Sequence, residues 1–129
     1  MQIQIIGLPG SGKTTVIEKY LIDNKHINYL DYAKFPNKKH FYKKLKELKS
    51  TSLIIESACG MILNNTPIIK YDKPIQEVYR NFNKREGYLD ENYMSLLESK
   101  MIPAKYTVRT EKALFNMLDI LFLKQSRST

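Results

Sequence analysis

One run of eight residues constrains this chain more than anything else in it: Gly7-Leu8-Pro9-Gly10-Ser11-Gly12-Lys13-Thr14, directly after the β-branched segment Ile3, Ile5, Ile6. Glycines at 7, 10 and 12 permit backbone angles that a Cβ forbids, and they let amide N–H groups close on phosphate oxygens. Residues 13–24 then carry Val16, Ile17, Tyr20 and Leu21 at helical spacing, so a helix opens at Lys13 and turns its positive end toward the same phosphates. Strand, glycine loop and helix in that order are the context the pattern needs. The expected phosphate cradle is Gly7, Pro9, Gly10, Ser11, Gly12, Lys13, Thr14 and Thr15. In it Lys13 would reach the β- and γ-phosphates of ATP or another NTP, and the Thr14 hydroxyl would ligate Mg²⁺.

The rest of the chain alternates between the two periodicities. Strands are expected at 2–8, 27–31, 52–57, 67–71 and 104–109, and helices at 13–24, 37–49, 74–85, 90–101 and 111–124. Leu53, Ile54 and Ile55 form an unbroken apolar centre, as in a strand buried on both faces. Pro74 suits the first turn of its helix, and Pro103 stops the one before it. Such alternation implies an α/β fold with a mostly parallel sheet of about five strands, covered on both sides. The 129 residues suit one domain, expected over 1–124 with a lid-like segment near 80–90 and a disordered tail at 125–129.

Two acids stand where strands end. Glu56 closes the third strand, the place for an acid that holds a magnesium shell, and Asp31 closes the second. Strand ends face the ligand crevice in open α/β sheets, so Asp31 is a candidate general base as well as a turn-forming aspartate. Asp72 reads as a turn or cap residue. Farther on, Arg80, Lys84 and Arg85 crowd one helix, with Arg80 and Lys84 at i, i+4. Cations there would neutralise charge on a migrating phosphoryl group, or complement a helix dipole.

Composition narrows the setting. The one cysteine, Cys59, excludes an intramolecular disulfide and fits a reducing, cytoplasmic compartment. The first residues lack a secretory leader pattern, and no apolar run reaches the roughly 18 residues of a membrane span. The formal charge of +8 suits anionic ligands, and equally a surface solvated by lysine. Over 37–49, Lys38, Lys39, His40, Lys43, Lys44, Lys46 and Lys49 surround Phe41, Leu45 and Leu48. That helix reads as a solvated face, or as a surface for nucleotide phosphate or nucleic acid. His26 and His40 have no metal-ligand spacing with Cys59, so no structural metal is expected.

The parts together resemble the P-loop nucleoside and nucleotide kinases, especially the deoxynucleoside and thymidylate kinase branch. Beyond the loop, the likeness lies in the strand at Ile69, Pro74 opening a helix, Arg80 six residues on, Lys84 and Arg85, and the Tyr93–Leu97 helix. It implies a P-loop NTPase three-layer αβα sandwich. It also implies transfer of the γ-phosphoryl of Mg·ATP to a nucleoside, a nucleoside monophosphate or a similar small acceptor. Lys13, Asp31, Arg80 and Arg85 would be catalytic, Lys84 would touch the donor, and Thr14 and Glu56 would serve the metal. The chain departs from the family where Ser57 stands in place of an arginine after the third-strand acid, and where 58–66 is shorter than the family's acceptor wall. Those departures keep two other readings open: a polynucleotide 5′-hydroxyl kinase, and a non-catalytic NTP-binding module that has lost its acceptor site. Oligomeric state is not encoded in any of these features.

Overall fold

The computed structural model describes residues 1–61, 63, 65–86 and 91–128, and their side chains apart from 75, 82–86, 91 and 124–128. The elements run β1 (Gln2–Ile6), α1 (Lys13–Ile22), β2 (Asn28–Asp31), a 3₁₀ turn (Tyr32–Lys34), α2 (Lys38–Glu47) and β3 (Leu53–Ser57). They continue with β4 (Ile68–Tyr71), α3 (Ile75–Glu86), α4 (Glu91–Lys100), β5 (Tyr106–Val108) and α5 (Glu111–Ser128). All five strands are parallel, in the order β2-β3-β1-β4-β5. The alternation expected from the sequence is therefore the alternation observed. One difference is at the end, where α5 runs to Ser128 through residues read as a disordered tail. Of the expected lid-like segment, 87–90 lie outside the described residues.

The sheet is buried because its strands carry apolar residues to both faces. Ile3, Ile5 and Ile54 join Val16, Ile17 and Tyr20 of α1 and Leu114, Leu118 and Leu121 of α5 in one cluster. Leu53 and Ile55, one step out of phase, join Leu30 and Phe41, against which Leu45 of α2 and Leu48 at its C-terminal cap also pack. Alternate residues of β3 thus feed opposite layers, which makes the molecule a three-layer αβα sandwich. Across the first layer, Tyr20 ties α1 to α5: its hydroxyl donates to Asp119 Oδ1 at 2.8 Å and its ring meets Phe115 edge-on at 5.3 Å.

One residue breaks the apolar pattern at the centre. Gln4, paired with Ile55 on one side and Ile68 on the other, is fully buried, and neither side-chain polar atom has a hydrogen-bond partner among the described residues. An amide left dry in this way costs about 1–3 kcal/mol. Gln4→Leu, close in volume, is expected to raise stability by about 1–2 kcal/mol, read as a higher urea midpoint at unchanged m. A lower midpoint would show that the amide is satisfied.

Candidate active site

Parallel strands end at a common edge, and here that edge collects the chemistry. The register sets Asp31 of β2 opposite Glu56 of β3, and Glu56 opposite Ile5 of β1, one residue short of the strand's end. From β1 the chain passes to β2 on one side, and from β3 it returns to β4 on the other side of β1. The connections therefore diverge between β1 and β3, leaving a crevice at the point where an α/β sheet takes its ligand.

The loop from β1 fills the mouth of this crevice. Gly12 caps α1 with φ 84°, a left-handed conformation, and no side chain caps the helix there. The first N–H groups of α1 are thus left to a ligand. Gly7 is needed for another reason. It has no positive φ, so the backbone freedom expected of it is not what it supplies; a Cβ there would stand 2.9 Å from the Tyr71 carbonyl oxygen. Glycine at 7 lets β1 leave the sheet close against β4.

Glu56 is the hub. Its side chain is 5% exposed, and it accepts from the Thr14 hydroxyl at Oε2, 2.6 Å away, in the short range of charge-assisted hydrogen bonds. Lys13 Nζ stands 3.9 Å from the same oxygen and 3.5 Å from the Leu8 carbonyl. The Tyr29 hydroxyl donates to the other oxygen, Oε1. Burying a carboxylate is unfavourable unless it is paired and hydrogen-bonded, and these three groups compensate it. Burial, followed by the hydrogen bond to Glu56, pushes the Tyr29 phenol far above its ordinary value of 10.0. The phenol therefore stays a donor.

Thr14 and Glu56 present hard oxygen donors beside the phosphate cradle, which suits Mg²⁺. That ion takes one or two protein groups and completes its shell with water and phosphate. No cluster of three His, Cys, Asp or Glu side chains occurs among the described residues, so a metal here would draw the rest of its ligands from nucleotide and water.

Two clefts share the loop as a common wall. One, about 410 Å³, lies between Gly12, Lys13 and Thr14 on one side and Asp31, Tyr32 and Ala33 on the other, with Glu56 and Ser57 at its base. Asp31 Oδ1 accepts from the Ala33 amide at 3.1 Å, so the aspartate both caps the 3₁₀ turn and lines the cleft. The other cleft, about 400 Å³, runs over Gly10, Gly12 and Thr15 toward Lys19, Lys73 and Glu77. Pro9 lines the first and Ser11 the second, so every residue of the expected cradle except Gly7 faces one cleft or both.

The cationic helix is placed differently. Arg80 is exposed on α3 and lines neither cleft, while its neighbour Asn81 donates to the Gly10 carbonyl at 3.1 Å. The side chains of Lys84 and Arg85 lie outside the described residues. Tyr29 and Asn81 were not singled out by sequence reasoning. Tyr29 sits two residues before Asp31 on the same face of β2, a spacing that could have flagged it.

Tyr29→Phe removes one anchor of the buried carboxylate and is expected to cost about 1–2 kcal/mol near neutrality. The raised phenol pKa fixes the sign with pH. The contribution is complete below about pH 10 and is lost as pH rises beyond it, because the unfolded phenol ionises first. Chemical denaturation of both proteins from pH 7 to about pH 11 checks this: the gap between them should narrow at the alkaline end. A gap that does not narrow would remove Tyr29 from the network.

No family model matches the chain, and no curated protein sequence matches it. Solved structures do. A shikimate kinase from Acinetobacter baumannii in complex with shikimate is 18% identical with TM-score 0.57, covering 96% of this chain and 93% of its own. A gluconokinase from Sinorhizobium meliloti 1021 is 10% identical with TM-score 0.62, covering 97% of each chain. The hydrogenase maturation factor HypB from Archaeoglobus fulgidus is 19% identical with TM-score 0.51, covering 96% of this chain and 88% of its own. The likeness does not single out the nucleoside branch. No helix among the described residues is long and apolar enough to cross a membrane. With five parallel strands in this order, the chain has the P-loop NTPase α/β fold of the solved structures it matches.

Proposed function

We propose that the chain is a small P-loop kinase that transfers the γ-phosphoryl of Mg·ATP to a hydroxyl of a small acceptor, a nucleoside, nucleoside monophosphate or similar molecule. One observation carries the reading: Lys13, Thr14 and Glu56 converge in a cleft of ligand size that Asp31 also lines, and a second such cleft lies across the loop from it. A donor needs one cleft for its body and the loop for its phosphates, and an acceptor needs the other cleft with a base within reach. A structurally similar chain being a shikimate kinase and another a gluconokinase favours a small hydroxylic acceptor over none.

Each residue then has a task. The loop amides and the α1 N-terminus hold the β- and γ-phosphates, and Lys13 neutralises charge that grows on the transferred oxygens. Magnesium, when bound through Thr14 and Glu56, screens the same charge. Asp31, whose Oδ1 is occupied by the Ala33 amide, offers Oδ2 to the acceptor hydroxyl as proton acceptor. Arg80 with Arg85, and Lys84 on the donor, would add positive charge if α3 closes over the loop to which Asn81 already attaches it.

The test is transfer from γ-labelled ATP over a panel of nucleosides, nucleoside monophosphates and small hydroxy acids, with magnesium. Lys13→Ala should lower kcat by at least about 100-fold, and Asp31→Asn should lower kcat by about 100-fold or more while leaving ATP affinity within about twofold. Tight Mg·ATP binding with no transfer to any acceptor would replace the kinase with a nucleotide-binding module.

A further inference from the structure

The charge of this protein is concentrated in one place. Between Tyr32 and Ile55 there are seven lysines and one glutamate, a net of six positive charges out of the chain's eight. A surface solvated by lysine for its own sake would not require that clustering, since like charges a helical turn apart repel and destabilise the helix.

Helix α2 sorts these charges by face. Phe41 is fully buried and Leu45 and Leu48 pack beside it, which fixes the inward side. At 100° per residue, Lys39, Lys43 and Lys46 point outward, Tyr42 and Lys38 stand on the flank that leads back to Leu45, Lys49 follows just beyond the helix, and all six are exposed. The helix's one acid, Glu47, lies one turn on from Lys43 at the edge of this side and pairs with Lys44 at 3.4 Å. Five lysines therefore follow one another along the helix against a single acid that a sixth lysine, Lys44, already engages. Tyr42 stands among them, 44% exposed, its ring edge-on to Phe41 at 5.5 Å. A groove of about 300 Å³ runs beside that ring, between Lys46, Lys49 and Leu63.

We propose that this face of α2 docks single-stranded nucleic acid, the lysines tracking its phosphates and Tyr42 stacking on a base. The proposal goes beyond phosphoryl transfer and does not rest on it. A membrane surface fits less well, because an interfacial helix needs a broad apolar face and the apolar residues of α2 are spent on the core. A duplex fits less well because its bases are already stacked, leaving an exposed ring beside a groove without a partner.

Anisotropy of a 3′-labelled oligothymidylate of about 20 nucleotides, titrated between about 20 and about 200 mM NaCl, reads the proposal directly. Five phosphate contacts predict a slope of log K against log salt of about −3.5, and the triple variant Lys39→Gln, Lys43→Gln, Lys46→Gln should fall to about −1.4. Tyr42→Ala should weaken binding about fivefold or more without changing the slope. The triple variant should melt no lower than wild type, since it removes repulsion, so loss of binding cannot be put down to unfolding. Lys13→Ala should lose ATP and keep the oligonucleotide, which separates this proposal from the kinase reading. Absence of binding at the lowest salt would overturn it, as would an unchanged triple variant or loss of the oligonucleotide with Lys13→Ala. Equal affinity for a duplex or for phosphatidylserine vesicles would also overturn it.

Discussion

Pairing Ile5 with Glu56 in the parallel β1–β3 ladder sets a carboxylate beside the loop that leaves β1, and that charge must be compensated before the sheet can close. Compensation comes from two elements: Lys13 and Thr14 at the start of α1, and Tyr29 from β2. The buried carboxylate of β3 therefore also fixes how α1 and β2 sit against it. The loop is held from below by a charge-assisted network, and no side chain caps the helix that follows it. A loop supported this way is organised before any ligand arrives.

The loop is also a partition. Gly10, Gly12 and Thr15 line both clefts, so a nucleotide phosphate bound over them lies between the two spaces. The far wall of the Asp31 cleft is the 3₁₀ turn after β2, with Tyr32 and Ala33. That cleft is thus closed by a turn of three residues where the resemblance leads one to expect helices.

What was legible in the sequence was local. The glycine loop, the alternation of strand and helix and the placing of Glu56 and Asp31 at strand ends follow from spacing and periodicity, which a linear reading contains. What was not legible depends on partners distant in the chain. Gly7 is required by the Tyr71 carbonyl, 64 positions away, and not by its own backbone angles. Tyr29 reads as an ordinary aromatic strand residue until β3 lies beside it. Arg80 was singled out for its charge, yet helix phase gives the contact with the loop to Asn81. Gln4 could not be foreseen as dry, because the pattern of β1 alone does not say that both neighbouring strands present isoleucine to it.

The uneven placement of lysine has a consequence for encounter rather than for binding. With six of eight net charges carried between Tyr32 and Ile55, most of the positive excess is gathered around α2. Its field reaches about one Debye length, roughly 8 Å at physiological ionic strength, and within that distance anions are drawn in from one side. The chain enters that helix directly from the 3₁₀ turn that walls the Asp31 cleft. An approaching polyanion is thus turned before it touches, and first meets the protein at α2.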